Sequence, residues 1–232
     1  MTDSTTSEKS VLFLVPTPIG NLDDITVRAG KILAEVNVIL AEDTRHTGKL
    51  LDLLGISNKL ESYHQHNEHG KLPYVLDLLK KGNRIAYCSD AGTPGISDPG
   101  FLLVRACITE GIEVNCLPGA TAFIPALVTS GLPCDRFIFE GFLPHKKGRQ
   151  KKIATLIDEE RTVVFYESPH RIQKMVTQLK ELLGGERKIC VSRELSKMHE
   201  THYRGTLNEV DKMLETAVIK GEFVVVVGGK DQ

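Results

Sequence analysis

The sequence predicts two α/β domains, the first with a mainly parallel sheet and the second with a mixed sheet. In the first half, short apolar runs alternate with amphipathic stretches, a pattern typical of parallel strands joined by crossover helices. Leu117-Pro118-Gly119 interrupts this alternation. Beyond it, two strand-like runs follow each other with a short connection, which predicts antiparallel pairing. We therefore expect a disordered tail over 1–10, one domain over 11–118 and another over 119–232.

In the first domain, strands are predicted at 11–15, 38–41, 85–88 and 113–117, with helical stretches at 25–36, 74–81 and 101–109. Asp98 is the expected N-cap of the last of these helices, and Pro99 suits its first position because a proline lacks only an N–H that has no helical partner there.

In the second domain, strands are predicted at 136–140, 162–167, 188–193, 199–204 and 222–227. Thr121 is the expected cap of a helix that runs to Ser130. Ser168 and Pro169 repeat the cap-and-proline pairing, and Gly184-Gly185 ends the helix that follows.

The composition excludes several classes of protein. With 232 residues, 41% hydrophobic, the chain can bury a core without disulfides. The net charge of −1 provides no global basic field, so nucleic-acid binding would need a local patch. Five cysteines without a Cys-x-x-Cys pair predict neither a zinc site nor a disulfide framework, and Cys88, Cys116 and Cys190 are expected core thiols. The absence of an apolar run of about 20 residues predicts a cytoplasmic protein without a membrane span.

The loop at 89–100 is the strongest candidate for a ligand site. It is rich in glycine, carries Asp90 and follows a buried strand, so it should lie at the carboxyl edge of the sheet, where open α/β folds bind ligands. The first strand-to-helix turn is different, because Pro16 and Pro18 remove N–H groups that a phosphate cradle would need.

Glu42, Asp43 and Arg45 follow the second strand directly. One interpretation is a capped helix with a solvated first turn. The other is a crevice shared with the Asp90 loop, which favours substrate contact or proton transfer.

The His-x-His pair of His64 and His66, in the segment that ends at His69, invites a metal interpretation, but no third ligand stands at a characteristic spacing. A polar loop that contacts substrate is the alternative, and no metal is predicted.

The segment 146–152 is the densest basic stretch, with five Lys or Arg among seven residues. It is either solvated surface or a contact for RNA phosphates. Phe142 beside it suits base stacking or the core. Charged groups at 165–171 and 192–200 follow strands as well, and either form structural ion pairs or line a substrate wall.

Together these motifs resemble the tetrapyrrole methylase superfamily and, within it, the group that methylates a ribose 2′-oxygen of a cytidine in small-subunit ribosomal RNA. The matching segments are 15–26, 41–47, 89–94, 98–100, 117–119, 141–144, 165–168 with His170 and Arg171, and 193–195 with Lys197.

The resemblance implies a homodimer and a cleft between the domains that holds S-adenosylmethionine. The implied donor contacts are Ser89, Asp90, Ala91, Gly92, Thr93, Thr121 and Ala122, with Ile19, Tyr166 and Glu222 as further wall. Candidate general bases are Glu42, Asp43 and Glu194, with Arg45, Arg193 and Lys197 as orienting or charge-stabilising groups. Expected RNA contacts are Lys146, Lys147, Arg149, Lys151, Lys152, His170 and Arg171.

Two rival functions remain open. Ser89-Asp90-Ala91 stands where tetrapyrrole-specific members carry Gly-Asp-Pro, which favours ribosomal RNA, free or in an assembled subunit, over a small tetrapyrrole. The second rival is a non-catalytic RNA-binding module. Longer members of the ribosomal group continue beyond the last strand, so the basic segment is expected to carry more of the phosphate recognition here.

Overall fold

The computed structural model describes residues 10–232, and the predicted tail, apart from Ser10, lies outside them. The chain divides into two compact units, one ending at Thr121 and one beginning at Ala122. The strands are β1 (Val11–Leu14), β2 (Val38–Ala41), β3 (Leu60–Ser62), β4 (Arg84–Cys88), β5 (Glu113–Cys116), β6 (Phe137–Phe142), β7 (Thr162–Glu167), β8 (Lys188–Arg193), β9 (Thr201–Thr206) and β10 (Phe223–Val227). The helices are α1 (Val27–Glu35), α2 (Thr44–Leu53), α3 (Glu68–Lys80), α4 (Phe101–Thr109), α5 (Phe123–Ser130), α6 (Arg149–Ala154), α7 (Ile172–Leu183) and α8 (Leu207–Thr216).

The sheet of the N-terminal unit has the order β3-β2-β4-β1-β5, and every pairing in it is parallel. The prediction of a parallel first sheet is confirmed. Hydrophobic clusters lie on both faces, one around Phe13 and Leu33 and the other around Leu40 and Leu103. The short edge strand β3 was not predicted, because its three half-buried residues present no apolar run.

The sheet of the C-terminal unit has the order β6-β7-β10-β8-β9. Only β6 and β7 pair in parallel, so the prediction of a mixed sheet is confirmed. One face packs against α6, α7 and α8 in a single core that includes Phe165 and Met175. Helix α5 packs against β7, β8 and β10, and its Phe123 stacks on Phe139.

Three helices begin later than their predicted caps. The N-caps are Gly100, Ala122 and Arg171, so the predictions of Asp98, Thr121 and Ser168 were wrong. In each case the polar residue belongs to a loop or turn before the helix. Ser168, for example, accepts backbone N–H bonds from Arg171 and Ile172 through its carbonyl oxygen.

Two further features differ from expectation. Cys116 is exposed rather than a core thiol, because it ends the edge strand β5. Helix α8 was not predicted, although Thr206 and Glu209 form a complete capping box at its start.

Within residues 10–232, no helix is long and apolar enough to cross a bilayer.

Candidate functional site

The loop 89–93 of the N-terminal unit is braced from beneath by the first strand-to-helix turn. Thr17 and Gly92 exchange two backbone hydrogen bonds of 2.9 Å. The buried Thr17 hydroxyl donates to the carbonyl oxygen of Ser89, and the buried Ser89 hydroxyl donates to the carbonyl oxygen of Gly92. Ser89 therefore shapes the loop with its side chain, while Asp90, Ala91 and Thr93 remain partly exposed.

The end of the same unit packs against this loop. The Thr93 hydroxyl donates to the carbonyl oxygen of Ala120 over 3.0 Å. Gly92 lies close to Ile19, since a Cβ added to this glycine would sit 3.6 Å from Ile19 Cγ2. A Cβ on Gly119 would lie only 2.6 Å from Cβ of Pro16, so glycine is needed for this close approach. Ile19 therefore lies next to loop 89–93, the predicted donor loop, and the segment that ends at Thr121 packs against the same loop.

Glu42 and its neighbour Asp43 are each joined to Asp90 by a hydrogen bond. The Asp90 N–H donates to Glu42 Oε2 over 3.3 Å, and the Asp43 N–H donates to Asp90 Oδ1 over 3.1 Å. Partial burial, with the negative charge of Asp90, raises the pKa of Glu42 above its ordinary value, against the opposing effects of the Asp90 N–H and His64. A carboxylate with a raised pKa in a half-buried site is a better proton acceptor than a solvated one.

Asp43 is the N-cap of α2, as the first of the two interpretations of this segment proposed. Its carboxylate accepts from the Arg45 N–H and pairs with the Arg45 guanidinium at 2.6 Å. These bonds hold the pKa of Asp43 well below its usual range. Arg45 is largely exposed, and its guanidinium is paired with the Asp43 carboxylate. Glu42 and Asp43 are neighbours, but only Glu42 retains the basicity that a proton acceptor needs.

His64 and His66 precede α3 at a turn, and His69 lies in the first turn of that helix. His64 Nδ1 accepts from the His66 N–H, and the rings of His64 and His66 stand 6.0 Å apart. Among residues 10–232, no three His, Cys, Asp or Glu side chains are grouped in a way that could hold a metal ion.

In the C-terminal unit, Tyr166 belongs to an aromatic cluster. Its ring contacts Phe139 at 5.1 Å and Phe142 at 5.6 Å, both edge to face. Phe142 is 53% exposed, which excludes the core role considered for it.

Glu194, Lys197 and Glu222 form a second cluster in this unit. Glu194 Oε1 accepts from Lys197 Nζ at 3.0 Å and from the Glu222 N–H at 2.9 Å. Burial opposes ionisation of Glu194, but these two bonds outweigh it and lower its pKa. Lys197 also pairs with Glu222 at 3.1 Å. The Glu194 carboxylate is therefore held by structural hydrogen bonds, and it is a poorer base than Glu42.

Arg193 and Arg149 differ from their expected roles because both are buried. Arg193 donates to the carbonyl oxygens of Lys220 and His199. Arg149 pairs at 3.2 Å with the fully buried carboxylate of Glu167, which also pairs with Arg171 at 2.7 Å. Arg149 thus pins α6 to β7, and its guanidinium is not available to RNA phosphates in this structure. Arg171 shares the same carboxylate and is largely withdrawn from the surface.

The remaining basic residues lie at the surface. Lys146, Lys147 and Lys151 are exposed, as is His170. Lys152 is half-buried and pairs with Glu140 at 2.7 Å. Part of the basic segment 146–152 is therefore the helix α6. Its Arg149 is buried in the core, whereas its exposed lysines face the solvent.

Two residues that matter here were not among the candidate site residues, although Glu167 lies in the segment 165–171, for which structural ion pairs were one alternative. Glu167 had a usable signal, because it continues the inward-facing alternation of Val163 and Phe165, and a carboxylate in that position needs buried cations. Glu140 had none, since its pairing with Lys152 depends on the approach of α6 to β6.

Comparison with known proteins places this geometry in a family. The family model for tetrapyrrole (corrin/porphyrin) methylases matches residues 11–211. A protein of Synechocystis sp. named ribosomal RNA small subunit methyltransferase I is 52% identical over 94% of this chain and 79% of its own length. A protein of the same name from Thermotoga maritima is 44% identical over 95% of this chain and 99% of its own length.

Solved structures share the fold at low sequence identity. A cobalt-precorrin-4 methyltransferase of cobalamin biosynthesis superposes with a TM-score of 0.71 at 17% identity, covering 98% of both chains. Uroporphyrin-III C-methyltransferase from Thermus thermophilus has a TM-score of 0.67 at 19% identity, covering 95% of this chain and 94% of its own. The chain belongs to the tetrapyrrole (corrin/porphyrin) methylase family.

Proposed function

We propose that the protein is an S-adenosylmethionine-dependent methyltransferase that methylates the ribose 2′-hydroxyl of a cytidine in small-subunit ribosomal RNA. The assignment of ribosomal RNA as the substrate is supported by the 52% identity, over nearly the whole chain, to a relative named ribosomal RNA small subunit methyltransferase I. The family membership supports S-adenosylmethionine as the methyl donor. Structures of tetrapyrrole methyltransferases are under 25% identical and support the fold alone.

The residues of the N-terminal unit fit a methyl donor. Gly92 has a φ of +81°, so the loop turns back beside Ile19 and leaves Asp90 and Thr93 partly exposed. This combination offers an apolar surface and a carboxylate acceptor for hydroxyl or ammonium donors. The donor supplies a methyl group already activated on a positively charged sulfur. In the C-terminal unit, Ala122, Tyr166 and Glu222 remain proposed donor contacts.

Glu42 is the proposed general base. A neutral ribose hydroxyl is a weak nucleophile, and removal of its proton as the oxygen–carbon bond forms typically contributes about 10²–10⁴-fold. Glu42 suits this role because it is held against the donor loop and has a raised pKa. Alignment of the two reactants by the loop contributes further, as held reactants gain up to about 7–11 kcal/mol.

The RNA contacts are proposed to come from Lys146, Lys147, Lys151, Lys152 and His170. The first three are exposed lysines in a chain whose net charge is only −1. Phosphate binding through such a local patch is sensitive to salt.

The test is methyl transfer from labelled S-adenosylmethionine to three acceptors: assembled small subunits, protein-free small-subunit RNA and a porphyrinogen. RNA from cells lacking the protein serves as the unmethylated acceptor, and ribose methylation is mapped in it before and after reaction. We expect a single cytidine 2′-O-methyl group to appear in one of the RNA acceptors. Labelling of the porphyrinogen alone would favour a tetrapyrrole methyltransferase.

Calorimetry with S-adenosylmethionine tests the non-catalytic alternative. We expect binding by the wild-type protein, and the absence of binding would favour an RNA-binding module. We also propose that the protein is a homodimer, as the family resemblance implies, and light scattering of the purified protein tests this.

A further inference from the structure

Two tyrosine hydroxyls lie in the core of the N-terminal unit without a hydrogen bond. Tyr63 and Tyr87 are both fully buried, and their rings meet edge to face with centroids 5.5 Å apart. Among the residues that the structure describes, neither hydroxyl has a hydrogen-bond partner. A buried hydroxyl without a partner costs free energy, and native proteins keep few of them. Hydrophobic packing alone would be served as well by phenylalanine, so these hydroxyls call for another explanation.

The strand register directs Tyr87 and Glu42 to the same face of the first sheet. Strand β2 pairs with β4 so that Leu40 stands opposite Tyr87, and both side chains belong to one buried cluster. The Glu42 N–H continues this ladder by donating to the carbonyl oxygen of Cys88 over 3.2 Å. Side chains alternate along a strand, so Glu42, two residues after Leu40, returns to the face of Tyr87. The proposed base and a buried hydroxyl thus meet at the end of these two strands.

The neighbouring charges distinguish the two tyrosines. Burial raises the pKa of Tyr87, and among its charged neighbours Glu42 raises it most, ahead of Asp98, Tyr63 and Glu68. Burial also raises the pKa of Tyr63, but there the charge that raises it most is that of Glu68. Both tyrosines therefore stay neutral and keep a proton with which to donate a hydrogen bond. The hydroxyl that responds most to Glu42 is that of Tyr87.

The other groups that face Glu42 do not compete with Tyr87 as side-chain donors. The Asp90 N–H donates to Glu42 Oε2 over 3.3 Å, whereas the Asp90 carboxylate carries a like charge. The positive charge of His64 would favour ionised Glu42, but both His64 ring nitrogens lie against N–H groups of their own turn, at 3.2 and 3.3 Å. The Tyr87 hydroxyl is therefore the best-suited neighbour, within the described part of the chain, to donate to Glu42 Oε1.

We propose that Tyr87 is a positioning residue of the methyl transfer, and that its hydroxyl donates a hydrogen bond, directly or through one water, to the ionised carboxylate of Glu42. This bond fixes the orientation of the carboxylate beside loop 89–93 and stabilises its charged form. Glu42 takes the proton of the ribose hydroxyl, and Tyr87 keeps its own. The inference rests on the proposed function, because it concerns the group that is proposed there as the general base.

NMR titration of the Glu42 carboxyl group tests the hydrogen bond without RNA or methyl donor. The signal of Glu42 is the one that Glu42→Gln removes from the spectrum. Tyr87→Phe deletes the hydroxyl and keeps the ring, so the ionised carboxylate loses a donor and its titration midpoint should rise by about one pH unit. Tyr63→Phe is the matched control, because its hydroxyl is equally buried and unpartnered but responds to Glu68. This control should leave the midpoint unchanged.

A single-turnover pH profile of methyl transfer tests the role in the reaction. A higher midpoint leaves less ionised base on the acid limb, so Tyr87→Phe should be about tenfold slower there and should approach the wild-type rate at high pH. Tyr63→Phe should keep the wild-type profile. An unchanged midpoint in Tyr87→Phe, a shift to lower pH or an equal shift in Tyr63→Phe would each overturn the proposal. Loss of an unpartnered hydroxyl should not destabilise either variant, and thermal unfolding checks this.

Failure of this inference and failure of the proposed function give different results. Methyl transfer to RNA by the wild type, with an unchanged Glu42 midpoint in Tyr87→Phe, would overturn the role of Tyr87 alone. A raised midpoint in Tyr87→Phe without any methyl transfer to RNA would establish the hydrogen bond but overturn the proposed function, and the positioning role would be overturned with it.

Discussion

Three carboxylates at strand ends illustrate how the surroundings of a residue decide its chemistry. Asp43 caps a helix and pairs with Arg45, and Glu194 is held by Lys197 and a backbone N–H. Both therefore have lowered pKa values. Glu42 accepts a long bond of 3.3 Å from the Asp90 N–H, and partial burial raises its pKa. These differences favour Glu42 as the proton acceptor.

Glu42→Gln should reduce methyl transfer at saturating substrate by about 10²–10⁴-fold, because an amide cannot accept the hydroxyl proton. A general base works in its ionised form, so the wild-type rate should rise with pH through the pKa of Glu42. Because that pKa is raised, this limb lies at higher pH than for an ordinary glutamate. The measurement is a single-turnover pH profile.

Glu35→Gln is the control for this change, since Glu35 is an exposed glutamate on α1 with only a long ion pair to Arg84. It should keep the full rate and the wild-type profile. Full turnover by Glu42→Gln would exclude Glu42 as the base.

At the scale of elements, close contacts between segments determine the shape of the donor loop. The turn that carries Pro16 and Thr17 lies beneath loop 89–93, and the segment 117–121 packs beside it. Pro16 thus has a structural role, because it occupies the space that a side chain at position 119 would need.

Gly119→Ala should weaken S-adenosylmethionine binding by about tenfold or more. The added Cβ would lie 2.6 Å from Pro16, and such overpacking typically costs about 1–3 kcal/mol. Calorimetric titration measures the effect. Gly30→Ala is the control, because nothing lies within 4 Å of the added Cβ in α1. It should leave binding unchanged and stabilise the helix by about 0.5–1 kcal/mol. Equal binding by both variants would exclude the close approach as a requirement for the site.

Glu167→Gln should lower the free energy of unfolding by about 3 kcal/mol, because it leaves Arg149 and Arg171 without their shared buried counter-charge. Urea unfolding followed by circular dichroism measures this loss. Glu181→Gln, on the exposed side of α7, should change stability by less than about 0.5 kcal/mol. A loss no larger than that of Glu181→Gln would mean that the buried ion pairs do not stabilise α6 and α7.

For the molecule as a whole, charge is balanced globally and concentrated locally. The chain carries 29 Lys or Arg and 30 Asp or Glu, so long-range attraction to RNA is weak. The proposed phosphate contacts therefore centre on a local patch, the exposed lysines at 146, 147 and 151.

Replacing Lys146, Lys147 and Lys151 together with Gln should reduce the slope of log affinity against log salt by about 2, since each phosphate contact on single-stranded RNA contributes about 0.7. The control replaces Lys31, Lys80 and Lys81, which removes the same charge elsewhere on the surface. Binding to small-subunit RNA is measured over a salt series. Equal slopes for the two variants would show that the basic segment makes no phosphate contacts.

The sequence by itself determined the alternation of strands and helices, the parallel first sheet and the mixed second sheet. These follow from local patterns, because an apolar run between turn residues is sufficient to predict a strand. It also nominated loop 89–93 as a ligand site, since a glycine-rich segment after a buried strand lies at the edge of the sheet where open α/β folds bind ligands. The starts of α4, α5 and α7 were misjudged, because a polar residue that can cap a helix also fits the loop or turn before it.

Tertiary structure alone decided which charged side chains are available. Arg149 and Lys151 are two residues apart in one basic stretch, yet the first is buried against Glu167 and the second faces solvent. Likewise, Glu42 and Asp43 are adjacent, yet partial burial raises the pKa of Glu42 whereas hydrogen bonds from Arg45 lower that of Asp43. Burial and pairing depend on segments distant in sequence, so local composition can nominate these residues but cannot assign their roles.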